Sequence, residues 1–439
     1  MDFLAEDPSL EELTPLERMR TLCNEALFGR GKIAGLVGVT RIAEAFYGMD
    51  RSERDAFHLM LLADFAVDEE ELEEAIVAFH GAPENRPQAV VRMSQALDSP
   101  RLKLLRQLNT VPQGIKFLVD MRADVVSRLK EHPELWLLEH ELRHLLESWF
   151  SIGFLRLERI TWDSPAALLE KLVEYEAVHA IANWRDLKRR LQDDRACFAF
   201  IHPNMPSEPV IFMEVALVRG MSSRIRDLID PRSEVLEPHR ADTAIFYSIT
   251  NAQRGLRGIK FGNLLIKLVA PRLLGELPNL TTFATLSPVP RLCADFLVPI
   301  IDDGSIAELY TDEEASRLCL AAGAHVVREA VQRILGQPDW HADPEAGDVV
   351  KPGLLRAART YLTEVQRGNR VACPVGHFHA SNGAKLARIS WLGNTSEEGI
   401  AQSVGIMVNY LYETDLFEQR QAEYSRTGRM PVDEAVELI

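Results

Sequence analysis

The chain has 439 residues, of which 46% are hydrophobic, 26% charged and 7% aromatic. That is an ordinary globular composition, with enough apolar mass for more than one core at ~150 residues per domain, and it excludes a collagen-like, low-complexity or wholly disordered chain. The 49 Lys and Arg against 65 Asp and Glu leave a net charge of −16, so the excess positive charge that grips nucleic acid through its phosphates is missing, although a few basic residues at a pocket would still suit an acidic small molecule.

The first stretch, residues 1–13, is acidic and lacks the basic and apolar regions of a signal peptide. From there to residue 150 apolar side chains recur every three or four positions, broken at Gly81-Ala82-Pro83 and His132-Pro133, which predicts packed amphipathic helices. The acidic run at 68–74 reads as the solvated start of one of them, where carboxylates suit the helix dipole. Beyond residue 160 the character changes. Asp163-Ser164-Pro165 predicts a helix start, with a capping side chain and then proline at the first helical position. Helix is expected over 166–176 and again over 184–191. Runs rich in β-branched and aromatic residues predict strands at 196–201, 210–218, 244–249 and 281–286, with a hairpin loop between the first two and a helix over 262–274. Strand, turn, helix, strand is the α/β arrangement that puts ligands at strand ends. The expected architecture is an all-α N-terminal helical domain over 1–160 and an α/β C-terminal domain over 161–439.

No run reaches the ~18 apolar residues that a membrane span requires. The chain ends in Val-Glu-Leu-Ile rather than a peroxisomal Ser-Lys-Leu. Its cysteines (Cys23, Cys197, Cys293, Cys319 and Cys373) are widely spaced and contain no CxxC pair, so neither a zinc ribbon nor a secreted disulfide framework is indicated. These features predict a cytoplasmic protein of a reducing compartment with no membrane partner.

Short motifs carry the chemistry. His140-Glu141-Leu142-Arg143-His144 has the spacing of a zinc peptidase helix, two imidazoles one turn apart with a glutamate base. However, Leu135, Leu138, Leu142, Leu145, Leu146 and Trp149 form one apolar stripe at helical spacing, which leaves His140 and His144 on the solvated face. No third histidine follows at metzincin spacing, and Glu170, near a thermolysin-like distance, falls in a different predicted helix. The reading is a surface coincidence and no metal. The second motif, Gln253-Arg254-Gly255-Leu256-Arg257-Gly258-Ile259-Lys260-Phe261-Gly262, lies between a predicted strand and a predicted helix. Glycines let the backbone approach a ligand, and free N–H groups at a helix start can hold a pyrophosphate. Arg254, Arg257 and Lys260 would supply the local positive charge; a glycine-rich turn with solvated basic residues fits the spacing equally well.

Arg257-x-x-x-x-Gly262 leading into a helix resembles the acyl-CoA pyrophosphate loop of the GNAT-type N-acetyltransferase fold, with Lys260 standing where that pattern has glycine. Four further segments narrow the resemblance. They are Glu147-Ser-Trp-Phe-Ser-Ile-Gly-Phe-Leu-Arg-Leu-Glu-Arg-Ile-Thr-Trp-Asp-Ser-Pro165, Ala244-Ile-Phe-Tyr-Ser-Ile249, Leu286-Ser-Pro-Val-Pro290 and His377-Phe-His-Ala-Ser-Asn-Gly383. Together, from residue 147 to Tyr412, they resemble the malonyl-CoA decarboxylase family, whose acyl-CoA loop also lacks the middle glycine. The resemblance implies a GNAT-like catalytic domain that turns malonyl-CoA into acetyl-CoA and CO2, in a homo-oligomer, a tetramer or a dimer. It implies Ser287 and His379 as catalytic residues, with His377 beside His379. Arg254, Arg257, Gly258, Ile259, Lys260, Phe261, Gly262, Asn263, Asn382 and Tyr412 are the expected substrate-binding residues.

Read as residues alone, Ser287-Pro288 is also a common turn start, with Thr285 as a neighbouring hydroxyl. Gly-x-Ser-x-Gly is absent, so nothing argues for an acyl-enzyme. The His377-x-His379 pair would suit a metal or a strand face, but no carboxylate or cysteine pattern nearby completes a metal set. Asn382-Gly383 predicts a tight turn. Tyr410 and Tyr412, at the end of a helix-like run, either face the same pocket or are core and surface aromatics. No cofactor is expected, because the thioester carbonyl of malonyl-CoA is itself the electron sink for loss of CO2. The alternative readings are a CoA-dependent acyltransferase of the same fold, which would need an acceptor amine, and a zinc peptidase resting on the histidine pair at 140 and 144.

Overall fold

The computed structural model describes residues 13–29, 32–81, 83–259 and 265–438. By contact they form two units. The first comprises the described residues within Met1–Arg156, Phe200–Val210 and Asn251–Phe261, and the second those within Leu157–Ala199, Ile211–Thr250 and Gly262–Ile439.

The first unit is built on helices α1 (Pro15–Phe28), α2 (Lys32–Gly48), α3 (Arg51–Asp64), α4 (Glu69–Gly81), α5 (Arg86–Ala96), α6 (Pro100–Leu108), α7 (Gly114–Arg128) and α8 (Trp136–Trp149). Their starts are written locally. Thr14 with Glu17, and Asp50 with Glu53, form reciprocal capping boxes, and Pro15 and Pro100 open their helices where no N–H is missed. The acidic run behaves as expected: Asp68 accepts the N–H groups of Glu70 and Glu71 at the head of α4. The core is aromatic, with Phe46 edge-on to Phe57 and Phe117 at centroid distances of 5.9 and 5.2 Å. Buried arginines tie helices together: Arg101 bonds Glu141, Arg122 bonds Glu139, and Arg128 pairs with Asp55.

The sheet has strands β1 (Arg156–Ile160), β2 (Arg195–Ile201), β3 (Pro209–Val218), β4 (Thr243–Asn251), β5 (Thr282–Thr285), β6 (Ser287–Pro288), β7 (Lys385–Ser390) and β8 (Met407–Tyr412). Its order is β1-β2-β3-β4-β5-β8-β6, with β7 also paired to β8. All of β2 and nearly all of β3 is buried, as their largely apolar runs require, and the carboxylate within β3, Glu214, is paired with Arg190 at 2.9 Å. β4 and β5 are parallel and pair from Thr243↔Thr282 to Phe246↔Thr285. β5 and β6 are one chain path bent at Leu286, and both lie antiparallel to β8. The second unit also contains α9 (Ala166–Tyr175), α10 (Trp184–Arg190), α11 (Leu265–Glu276), α12 (Pro374–Ser381), α13 (Glu397–Ser403) and α14 (Phe417–Thr427). A compact cluster of Ala216, Ile225, Leu228, Ile245, Tyr247, Ala284, Leu286 and Met407 fills one side of the sheet's centre. Among the described residues no helix is long and apolar enough to cross a membrane.

Three local expectations are corrected. Pro165 occupies the cap of α9 rather than its first turn, and Ser164 Oγ accepts from Thr161 N–H, so the Asp-Ser pair builds the preceding turn instead of a helix cap. The His377–His379 segment is helix α12, started by Pro374. Residues 407–412 form a strand, because an alternating Met-Val-Asn-Tyr-Leu-Tyr pattern is satisfied by a sheet with one aromatic face.

Candidate active site

Ser287 and His379, 92 positions apart, meet. Ser287 Oγ lies 3.2 Å from His379 Nε2, and the Ser287 hydroxyl donates to Thr285 Oγ1 at 2.9 Å. On the far side of the imidazole, Nδ1 is 2.7 Å from the Tyr412 hydroxyl. Thr285 Oγ1 also accepts the Tyr410 N–H at 3.1 Å, which locks the hydroxyl row to β8. Strand period brings this about: Thr285 and Ser287 share a face of β5–β6, and Tyr410 and Tyr412 share a face of β8. The Tyr410 ring stacks on His379 with centroids 4.6 Å apart and an interplanar angle of 26°.

His379 sits in the last turn of α12, where Asn382 N–H and Ala384 N–H both return to its carbonyl. Gly383 takes φ +81°, and a Cβ there would lie 2.3 Å from the Phe417 carbonyl oxygen, so the expected tight turn requires glycine. Asn382 is buried, gives Nδ2–H to the Phe378 carbonyl, and keeps Oδ1 without a partner among the described residues. His377 does not flank the Ser287–His379 contact. Two residues along a helix is about 200°, so its ring turns to Tyr424, 2.8 Å from the hydroxyl.

Burial drives the His379 pKa down to about 3, so the ring is neutral in ordinary buffers. Burial likewise pushes the Tyr412 and Tyr410 phenols well above their ordinary range, and Tyr412 stays a hydroxyl donor. One tautomer gives an acceptor to each of the three donors in the row. Tyr412 O–H donates to Nδ1, Nε2–H donates to Ser287 Oγ, and Ser287 O–H donates to Thr285. In that arrangement the imidazole presents a proton toward Ser287 and does not draw one from it. The arrangement can donate hydrogen bonds to an anion forming beside it; it is not set to activate a nucleophile.

The other expected binding residues fall in the first unit or outside the described residues. Arg254 lies in a short 3-10 turn, Arg254–Leu256, followed by Arg257, Gly258 at φ +87°, and Ile259. The Arg254 and Arg257 guanidinium groups are exposed and make no ion pair among the described residues. The turn is held from beneath, where Arg122 on α7 donates to the carbonyls of Gly255 and Arg257. Lys260, Phe261, Gly262 and Asn263 lie outside the described residues.

The zinc-peptidase motif is dispersed on α8. His140 and His144 are exposed, and Glu141 accepts from Nε and Nη2 of Arg101 at 2.7 and 2.8 Å. Among the described residues no group of three or more His, Cys, Asp and Glu side chains could hold a metal. Sequence reasoning missed the Tyr410 stack and the Thr285 link. The signal was the period-two pattern at 407–412, which fixes both tyrosines on one face.

Family models described as the malonyl-CoA decarboxylase C-terminal domain and N-terminal domain match residues 153–439 and 65–150. The mitochondrial malonyl-CoA decarboxylase of Anser anser anser is 36% identical over 349 residues, 77% of this chain and 69% of that protein. That of Rattus norvegicus is 35% identical over 334 residues, 74% of this chain and 68% of that protein. The crystal structure of malonyl-CoA decarboxylase from Rhodopseudomonas palustris aligns with a TM-score of 0.85 at 36% identity, covering 97% of this chain and 100% of that one. The structure from Agrobacterium vitis gives 0.84 at 36% identity, covering 96% and 98%.

Proposed function

The chain belongs to the malonyl-CoA decarboxylase family, and from that premise we propose that Ser287 and His379 carry the decarboxylation, with Tyr412 holding the imidazole in its working tautomer. The observation that carries this reading is the continuous row Tyr412–His379–Ser287–Thr285, buried and joined at 2.7, 3.2 and 2.9 Å. As CO2 leaves a malonyl thioester, the electron pair of the broken C–C bond passes into the thioester carbonyl and an enolate forms. The enzyme must meet the charge arising on that oxygen. Nε2–H of the neutral His379 and the Ser287 hydroxyl, which in the resting row point to Ser287 Oγ and Thr285 Oγ1, turn to this oxygen when substrate is bound, and such donors at an oxyanion are worth ~2.7–4 kcal/mol each in comparable sites. A neutral ring cannot give a proton to C2 without itself becoming an anion, so His379 acts here as hydrogen-bond donor to the enolate oxygen, and the proton that C2 gains to complete acetyl-CoA comes from water. A neutral donor pair also avoids stabilising the ground-state carboxylate, which an arginine would do.

Arg254, Arg257, Gly258 and Ile259, with Lys260, Phe261, Gly262 and Asn263 following in sequence, are assigned to the CoA pyrophosphate, and Asn382 Oδ1 to a donor on the substrate. The helical segment 1–160 is assigned to self-association as a dimer or tetramer of a cytoplasmic enzyme, which sedimentation of the full chain would read. Acetyl-CoA formation from malonyl-CoA, followed by chromatography with and without EDTA, tests the site. Conversion by the wild type should be unaffected by EDTA, and Ser287→Ala and His379→Gln should each lose at least ~100-fold in kcat. Full activity in both variants would remove the assignment.

A further inference from the structure

Just before Ser287 the strand ladder is interrupted. The chain path carrying Ser287 pairs with β8 as Phe283↔Tyr412, Ala284↔Leu411 and then Ser287↔Val408, so the pairing steps over Thr285 and Leu286. β7 also shifts its register against β8 at this level, between Leu386 and Arg388, which face Tyr410 and Asn409. Irregularities of this kind re-aim side chains next to active sites. Side chains serve the interrupted stretch. Thr285 Oγ1 accepts the Tyr410 N–H at 3.1 Å, and the Thr285 carbonyl accepts Nδ2–H of Asn409 at 2.7 Å.

Asn409 is fully buried, and the same Nδ2 donates to the Ser222 carbonyl at 3.0 Å. Both neighbours are carbonyl oxygens, so the nitrogen of the amide and not its oxygen must face them. Oδ1 is then left buried with no partner among the described residues. An apolar side chain of this size would avoid the cost of desolvating that oxygen, but it could not hold the Thr285 carbonyl. The other end of the same peptide unit is held too, since Leu286 N–H donates to the Phe246 carbonyl at 3.1 Å. The Thr285–Leu286 peptide is gripped at its C=O from β8 and at its N–H from β4, immediately before Ser287.

We propose that Asn409 is a positioning residue for the decarboxylation. Its amide holds the Thr285–Leu286 peptide, and through it keeps Ser287 Oγ at 3.2 Å from His379 Nε2 and in place for the forming enolate oxygen. Along β8 its side chain alternates with those of Tyr410 and Tyr412, so it acts through the strand and not on the substrate. The proposal rests on the role given to Ser287 in the decarboxylase reading.

The test is Asn409→Leu in the full chain, which keeps the bulk and removes both donated hydrogen bonds. Its kcat on malonyl-CoA should fall about 10- to 100-fold, as displacing a reacting group by up to ~1 Å brings. KM, and the dissociation constant of the unreactive product acetyl-CoA, should stay within about twofold. In a Ser287→Ala background the same substitution should change kcat by less than about twofold, because the group it positions is gone. Where Asn409→Leu fails to fold by circular dichroism, Asn409→Val, β-branched and suited to a strand, replaces it. An equal loss with and without Ser287 marks a general structural role and overturns the proposal. An undiminished kcat overturns it as well, as does a rise of KM and of the acetyl-CoA dissociation constant in step. Where Ser287→Ala leaves no measurable turnover, the division between kcat and KM alone decides. A fully active Ser287→Ala enzyme would instead remove the premise.

Discussion

At the scale of single residues, the role proposed for His379 rests on the neutrality of one buried ring. His379 has its pKa depressed to about 3, so it gains no proton as pH falls through the ordinary imidazole value near 6.5. The kcat of the wild type should therefore show no inflection near pH 6.5 between pH 5 and 8, and a clear acid limb there would sink the neutral-donor role. In the tautomer assigned above, Tyr412 fixes which nitrogen carries the proton, its O–H donating to Nδ1 across 2.7 Å. Tyr412→Phe removes that constraint and lets Nδ1 compete for the proton. We expect kcat to fall at least ~10-fold with KM little changed, since the loss concerns the charge that forms in the transition state. Equal losses in kcat/KM and binding would point to packing against Phe246 and Phe417 instead, which Tyr412 also touches edge-on. Ser287 and His379 were legible in the sequence because each stands in a recognisable segment. Tyr410 and Thr285 could be named only among alternatives, since their contacts depend on which residues share a strand face, and that required knowing that 407–412 is a strand.

At the scale of elements, the basic turn at 254–257 owes its position to α7. A Cβ on Gly255 would lie 1.7 Å from the Val119 carbonyl oxygen, so only glycine lets the turn seat on that helix. Arg122, buried and paired with Glu139, reaches the Gly255 and Arg257 carbonyls from the same helix. Arg122→Met should release the turn that presents Arg254 and Arg257. The expected result is a malonyl-CoA KM raised about five- to tenfold with kcat within about twofold, the signature of lost uniform binding. A fall in kcat with KM unchanged would contradict the assignment of this turn to CoA binding. Strands β2 to β5 could be read from their β-branched and aromatic runs to within a few residues, since a buried strand has little freedom in composition. Helix α12 could not. His-x-His suggests a strand by period, and only Pro374 and Gly383, bracketing eight residues, mark it as a short helix. The support of a loop near residue 255 by an arginine at 122 leaves no local trace in sequence, because nothing at either position encodes a separation of 133 residues.

At the scale of the whole molecule, buried neutral histidines link stability to pH. Among the described residues His58, His179, His202 and His379 are buried, and burial lowers the pKa of each, to about 3, 4 and 3 for His58, His179 and His379. In the unfolded chain each titrates near 6.5. Above that pH both states are neutral and nothing is gained or lost. As pH falls from 6.5 toward 4 the unfolded chain takes up protons that the folded chain refuses, so stability drops, by up to about 1.4 kcal/mol per pH unit for each histidine. His58 is the cleanest place to measure one share of this. It is fully buried against Phe46 and Phe57, and neither ring nitrogen has a hydrogen-bond partner among the described residues. After burial, the Arg128 charge is the next cause holding the ring neutral. His58→Leu fits an apolar site of similar size and removes the group that the unfolded state would protonate. Urea unfolding of the full-length wild type should give a midpoint that falls between pH 7 and 5. The His58→Leu protein should fall less steeply, by up to one proton's worth of slope, and should match or exceed the wild type at pH 5. An unchanged slope would mean that His58 is protonated in the folded state, with Asp124, 3.7 Å from Nε2, as its counter-ion.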